Sequence, residues 1–107
     1  MKIDKRFHHL FPTDIATATR YYDLISVDLG SRFRDSVRDR LDSIGDRPES
    51  FGFVRQPLRV AMVVGFPYVV VFRLVEQVVF VAGLYHASSD PNRWLTRIDE
   101  GAEHVKV

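Results

Sequence analysis

The fold of this chain is decided by residues 58–85, LRVAMVVGFPYVVVFRLVEQVVFVAGLY. Three runs rich in valine and aromatic residues, Leu58–Val64, Tyr68–Val75 and Val78–Tyr85, are separated only by Gly65-Phe66-Pro67 and by Glu76-Gln77. Such runs are typical of β-strands, and links of two or three residues join antiparallel neighbours. The stretch therefore predicts a three-stranded antiparallel meander.

The second and third runs are apolar at successive positions, which indicates that both faces of the sheet are buried. We expect helices to cover one face. A loop, the tail of the chain or a partner chain should cover the other face, because the helices alone cannot cover all the apolar surface of the sheet.

Two helices are predicted before the meander. The first runs from about Thr13 to Ile25, where apolar residues recur at spacings of three and four. The second shows the same pattern at Leu29, Phe33, Val37, Leu41 and Ile44. The joint Ser26-Val27-Asp28 is so short that the helices should form an antiparallel hairpin over residues 12–47.

The remaining segments complete one α+β domain over residues 1–107, with the order β-α-α-β-β-β and the hairpin packed on an antiparallel sheet. Residues 1–11 should include an edge strand, Glu49–Pro57 a loop, 58–86 the meander, and Ala87–Trp94 a turn leading to one helical turn through Ile98. Residues 99–107 should form a frayed polar tail. The predicted core includes Phe33, Val37, Leu41, Val71 and Phe80.

Composition excludes several classes of function. Fifteen basic and fourteen acidic residues give a net charge near zero, whereas general nucleic-acid binders are strongly basic. We therefore expect no direct DNA binding by this chain alone. The absence of cysteine excludes disulfides and thiolate chemistry, and the four histidines lack metal-ligand spacing. We therefore expect a cytoplasmic protein with no metal, no cofactor and no membrane segment.

The candidate site residues are arginines on or beside the sheet, with one histidine and one tryptophan. Arg59 and Arg73, alternating with inward-facing valines, are predicted to project from one sheet face and to hold an anion such as RNA phosphate or a partner's carboxylates. Arg55 and Arg93 flank them in loops; ordinary solubility is the alternative for all four. His86 is either a proton donor and acceptor or a structural residue. Trp94 is most simply an anchor for the tail.

With these residues in view, the chain resembles the ParE/RelE superfamily, the toxins of bacterial type II toxin-antitoxin modules, also called plasmid stabilisation proteins. The resemblance spans about Leu10 to Arg97 and rests on the order of several features rather than on one motif. These are Tyr22, Leu29-Gly30, Phe33, Arg47-Pro48, Phe51, Arg59, Phe66-Pro67-Tyr68, His86, Asp90-Pro91 and Trp94.

The resemblance implies a small toxin that a cognate antitoxin neutralises. RelE-like members cut messenger RNA on the ribosome without metal and keep arginines where this chain has Val69 and Ala87, whereas ParE-like members inhibit DNA gyrase. The Phe66-Pro67-Tyr68 and Asp90-Pro91 forms look like the ParE branch, although Ser88-Ser89 replaces arginines that many ParE-like members carry.

The primary expectation is therefore a non-enzymatic toxin whose binding residues for antitoxin or target include Arg55, Arg59, Arg73, His86, Arg93 and Trp94. The first alternative is a metal-independent ribonuclease acting on ribosome-bound messenger RNA through Arg59, Arg73 and His86. The second is a degenerate toxin that acts only with its antitoxin in repressing their shared operon.

Overall fold

The predicted meander forms the centre of a five-stranded sheet. The computed structural model describes residues 3–104, with side chains described for residues 3–97. In chain order the elements are β1 (Asp4–Phe7), α1 (Phe11–Ile25), α2 (Val27–Asp46), a 3-10 turn (Pro48–Ser50), β2 (Phe53–Arg55), β3 (Leu58–Met62), β4 (Tyr68–Val75), β5 (Val78–His86) and α3 (Pro91–His104). The strands lie side by side in the order β1-β5-β4-β3-β2.

The sheet is mixed, whereas the sequence pattern predicted an antiparallel one. Strands β2 to β5 pair antiparallel, and β1 forms the expected edge strand but lies parallel to β5. The chain reaches β5 from β1 only after both helices and three strands, and a connection of that length permits parallel pairing. The α+β class is confirmed.

The helical hairpin is confirmed, with a tighter joint than expected. α1 begins at Phe11, with Pro12 in its first turn where a missing N–H costs nothing. Ser26 alone separates the helices. Its backbone N–H donates to Tyr22 O at the end of α1, and its hydroxyl accepts from the N–H of Leu29 at 3.0 Å as the N-cap of α2.

The first core lies between the hairpin and one face of the sheet. Phe33 and Val37 are buried there as predicted, and Leu41 packs against them while partly exposed. The sheet contributes Ala61, Val63, Val70, Phe72, Val79, Val81 and Leu84. The rings of Tyr22, Phe33, Phe66 and Tyr68 cluster at the beginning of β4, with contacting pairs 4.9 to 6.2 Å apart between centroids.

The second core lies on the opposite face, where α3 covers the strands. Trp94 packs on Tyr85 with Leu58, Val69, Val71 and Ala82. Val71 is therefore buried as predicted, but on this side. The prediction that Phe80 belongs to the core is wrong, because its side chain is only half-buried and the Arg73 guanidinium lies 5.6 Å from its ring centre.

Two segments differ from the expectation. α3 is fourteen residues long rather than one turn, so residues 99–104 continue a helix where a polar tail was expected; residues 105–107 lie outside the described residues. The expected loop Glu49–Pro57 contains the short strand β2. Among the described helices, none is long and apolar enough to cross a membrane.

Candidate functional site

Arg59 and Arg73 lie on opposite faces of the sheet, so the prediction that they share one face is wrong. Arg59 is paired directly with Phe72 of β4, and opposite residues of an antiparallel pair share a face. Arg73 follows Phe72 in the chain and therefore points to the other face. Phe72 belongs to the core under the helical hairpin, which places Arg59 on the hairpin side and Arg73 on the α3 side.

Arg59 is engaged within the chain. Its Nη1 donates to the carbonyl of Phe51 at 2.6 Å and to that of Glu49 at 3.4 Å. Its guanidinium also lies over the ring of Phe53, 4.0 Å from the centroid. These contacts tie the segment before β2 to β3 and occupy Nη1, one of the three nitrogens of the guanidinium. Arg59 therefore has a structural role within the chain.

Arg55 and Arg73 share the α3 side. Arg55 is paired with Leu58, and continuing the β3–β4 register by one residue places Leu58 beside Arg73. The two arginines are therefore about two strand spacings, roughly 10 Å, apart. A cavity of about 190 Å³ separates β2 from α3 beside Arg55 and is lined by Val54, Leu58, Pro91 and Leu95.

Arg93 and Trp94 do not join these arginines at one site. Arg93 is exposed and lies two residues from both Pro91 and Leu95, about 200° around the helix from each, so it faces away from the cavity. Trp94 is only 4% exposed, stacks on Tyr85 and donates its Nε1–H to Ser89 Oγ at 3.0 Å. The interpretation of Trp94 as an anchor is confirmed.

His86 lies at the end of β5, directly opposite Tyr68. Its ring contacts the Tyr68 ring edge-on, with centroids 5.4 Å apart. The backbone N–H of Ser88 donates to Nδ1 at 3.1 Å, and the Ser88 hydroxyl lies 2.8 Å from the same nitrogen. Since Nδ1 accepts, the neutral ring carries its proton on Nε2 and presents a hydrogen-bond donor.

Tyr68 contacts His86, and Tyr22 lies on the other side of Tyr68. Burial raises the pKa of Tyr22 above its ordinary value of 10.0, with further contributions from Tyr68 and Tyr21. Burial also raises the pKa of Tyr68, again assisted by Tyr21. These phenols therefore stay protonated at neutral pH and keep their O–H donors.

The three residues of the ribonuclease alternative do not converge. Arg59 is opposite Phe72 and His86 is opposite Tyr68, so the two lie about four residues, or roughly 13 Å, apart along β4. Arg73 is on the other face. Of the two positions where RelE-like enzymes keep arginines, Val69 is buried in the second core and Ala87 is exposed. Arg59, Arg73 and His86 therefore do not place a general acid, a base and phosphate donors within hydrogen-bond reach of one another.

An ion pair that the sequence pattern did not indicate joins α1, α3 and β5. Arg97 Nη1 lies 2.7 Å from Asp14 Oδ2, and both side chains are about 15% exposed. β1 ends opposite Val81, which leaves the following edge of β5 without a strand partner. Asp14 accepts from the Leu84 N–H, and Arg97 donates to the Ala82 carbonyl, so the pair takes the place of the missing strand.

Gly83 gives this ion pair its space. A Cβ atom at Gly83 would lie 2.9 Å from Arg97 Nη1, 3.0 Å from Asp14 Oδ2 and 2.8 Å from Cε2 of Tyr85. The pairing of a residue in the first turn of α1 with one 83 positions later leaves no local spacing signal. Only the glycine within an otherwise apolar strand marks the place in the sequence.

The described part of the chain holds no group of three histidine, aspartate or glutamate side chains arranged to bind a metal ion. A comparison of the sequence with known protein families finds no match, and a comparison with curated proteins finds no significant match either. Function is therefore inferred from the geometry above and from the residues that carry the resemblance.

Proposed function

We propose that this chain is the toxin of a type II toxin-antitoxin module, of the ParE kind, which acts in the cytoplasm by binding DNA gyrase and is neutralised by a cognate antitoxin. Two lines support the proposal. The features from Tyr22 to Trp94 stand in the order of the ParE/RelE superfamily. The α+β architecture, with a helical hairpin on the sheet, agrees with the fold that this resemblance implies.

The observation that carries the choice of binding over RNA cleavage is the separation of Arg59, Arg73 and His86. Removing one preorganised donor from a reacting centre typically costs about a hundred- to a thousandfold in rate. This chain has Val69 and Ala87 at the two arginine positions, and the side chains that could replace them lie on different faces or at different ends of the sheet. Binding requires no such convergence.

The antitoxin is expected to meet the arginines on the α3 side. The side chains of Arg55 and Arg73 make no hydrogen bond or ion pair with other residues that the structure describes, whereas the Arg59 side chain donates to a backbone carbonyl. We expect acidic residues of the antitoxin to contact Arg55 and Arg73, and an apolar side chain of the antitoxin to enter the adjacent cavity. The charge reversals Arg55→Glu and Arg73→Glu should weaken the complex, and Arg20→Glu on α1 serves as the control.

The test is to induce the chain with and without the product of the adjoining upstream reading frame. Growth arrest with intact messenger RNA, induction of the DNA-damage response and rescue by the upstream product would support the proposal. Codon-positioned messenger cuts that vanish in His86→Ala would favour the ribonuclease instead. Absence of arrest, with retained binding of the upstream product, would indicate a degenerate toxin.

A further inference from the structure

The tip of the helical hairpin exposes a group of neighbouring apolar side chains. Tyr21 and Ile25 are each 60% exposed, one turn apart at the end of α1, and Leu24 and Val27 are more exposed still. Single exposed apolar residues are common on proteins, but contiguous ones mark surfaces that bind a partner. The hairpin tip is the place in the described chain where four such residues fall within seven positions.

Tyr21 continues into a row of rings that ends at His86. The Tyr21 ring contacts Tyr22 edge-on at 5.1 Å, Tyr22 contacts Tyr68 at 6.2 Å, and Tyr68 contacts His86 at 5.4 Å. Tyr22 is buried and holds the row on the core. Tyr21, Tyr68 and His86, together with Ile25 one turn from Tyr21, are here called the tyrosine platform. The ring contacts restrict the aromatic side chains, which lowers the conformational freedom that they lose on binding.

The platform offers three hydrogen-bond donors. Ser88 occupies Nδ1 of His86, so Nε2–H remains to donate, and the phenols of Tyr21 and Tyr68 add two hydroxyls. A donor-rich rim beside apolar side chains fits an acceptor such as a carboxylate. None of the platform's own side chains is a lysine or arginine, which nucleic-acid phosphates would require.

We propose that the tyrosine platform binds the protein target of the toxin, through a surface segment that presents a carboxylate beside an apolar side chain. The inference rests on the proposed function in that it takes the target to be a protein. Tyrosine-centred clusters dominate the energetics of many protein interfaces. The platform also lies apart from the proposed antitoxin arginines, because Tyr68 and Arg73 are five residues, or roughly 17 Å, apart along β4.

The experiment uses purified DNA gyrase as the probe and measures inhibition of supercoiling together with growth arrest. Tyr21→Ala combined with Ile25→Ala removes exposed groups, so the fold should persist; thermal unfolding and binding of the upstream gene product check this. We expect a rise of about tenfold or more in the half-inhibitory concentration. His86→Ala should raise it several-fold and His86→Gln, which keeps an N–H donor, much less. Val75→Ala, an exposed residue at the far end of β4, is the matched control.

The outcomes separate this inference from the proposed function. Wild-type inhibition that the platform variants retain would overturn the platform and leave the proposed function standing. Growth arrest without gyrase inhibition would overturn gyrase as the target, and the platform would be upheld only if its variants abolish the arrest. Loss of antitoxin binding with arrest unchanged would make the platform an antitoxin site and overturn the inference. A wild-type chain that neither arrests growth nor inhibits gyrase would overturn both.

Discussion

The ion pair of Asp14 and Arg97 should stabilise the fold far more than the solvent-exposed ion pairs of the chain do. Asp14→Ala leaves a guanidinium that is only 16% exposed without its carboxylate and leaves the Leu84 N–H without an acceptor. An unsatisfied buried N–H costs about 1 to 3 kcal/mol, and breaking a buried ion pair costs about 3 to 5 kcal/mol. Because Arg97 can turn partly towards solvent, we expect about 3 kcal/mol for Asp14→Ala.

The assay is urea unfolding of the wild type, Asp14→Ala, Arg97→Ala and the double variant. Asp14 also lies in the first turn of α1, where its charge favours the helix, and the double-mutant cycle removes that contribution. We expect a coupling energy of about 2 kcal/mol. A loss of about 3 kcal/mol should lower Tm by about 12 °C in a domain of this size and is a large share of a total near 5 to 15 kcal/mol.

The surface pair of Asp35 and Arg38 is the matched control. Its atoms are almost as close, at 3.0 Å, but its side chains are 64% and 68% exposed. Exposed pairs contribute roughly 0 to 1 kcal/mol, so the same cycle should give a coupling of about 0.3 kcal/mol. If the cycle on Asp14 and Arg97 gives a coupling no larger than this, the pair does not replace the missing strand partner of β5 as described.

Three further predictions concern stability. Phe33→Ala should cost about 3 to 5 kcal/mol in urea unfolding, because the ring is fully buried against three other aromatic rings, and a cost under about 1 kcal/mol would contradict that packing. Arg59→Met should cost about 1 to 2 kcal/mol through its lost carbonyl contacts yet leave binding of the upstream gene product unchanged in titration calorimetry; weakened binding would restore Arg59 as a recognition residue. Because the folded pKa of Tyr22 lies above the unfolded value of 10.0, its contribution to stability is full below pH 10 and is lost as the pH rises through the folded pKa. Tyr22→Phe should therefore lose less stability than the wild type between pH 9 and 11, and equal losses would argue against the raised pKa.

Much of the fold could be predicted because the pattern and the packing agree. Phe33 and Val37 recur at helical spacing and are buried, and the valine runs of β3 to β5 lie within two residues of their predicted ends. β2 was missed because three residues between Gly52 and the cis Gln56–Pro57 bond carry almost no periodicity. The parallel pairing of β1 depends on the path of the whole chain, which no local pattern reports.

The site was harder to predict than the fold because faces and partners are non-local. Alternation with valines suggested one face for Arg59 and Arg73, but fourteen positions separate them, and only the register between β3 and β4 decides their sides. Only one helical turn through Ile98 was predicted in the region of α3, because Trp94 and Leu95 stand among polar residues and residues 99–107 have the composition of a polar tail. The fold gives Trp94 and Leu95 an apolar sheet face to cover.

Supercoiling by purified gyrase tests most directly the proposal that the chain acts by binding gyrase rather than by cutting RNA. The purified chain should inhibit supercoiling in proportion to its concentration, and the purified upstream gene product should reverse the inhibition at a fixed molar ratio. Messenger RNA on purified ribosomes should remain uncut in a parallel reaction. Full gyrase activity in the presence of the chain, together with cleavage of the ribosome-bound messenger, would contradict the proposal.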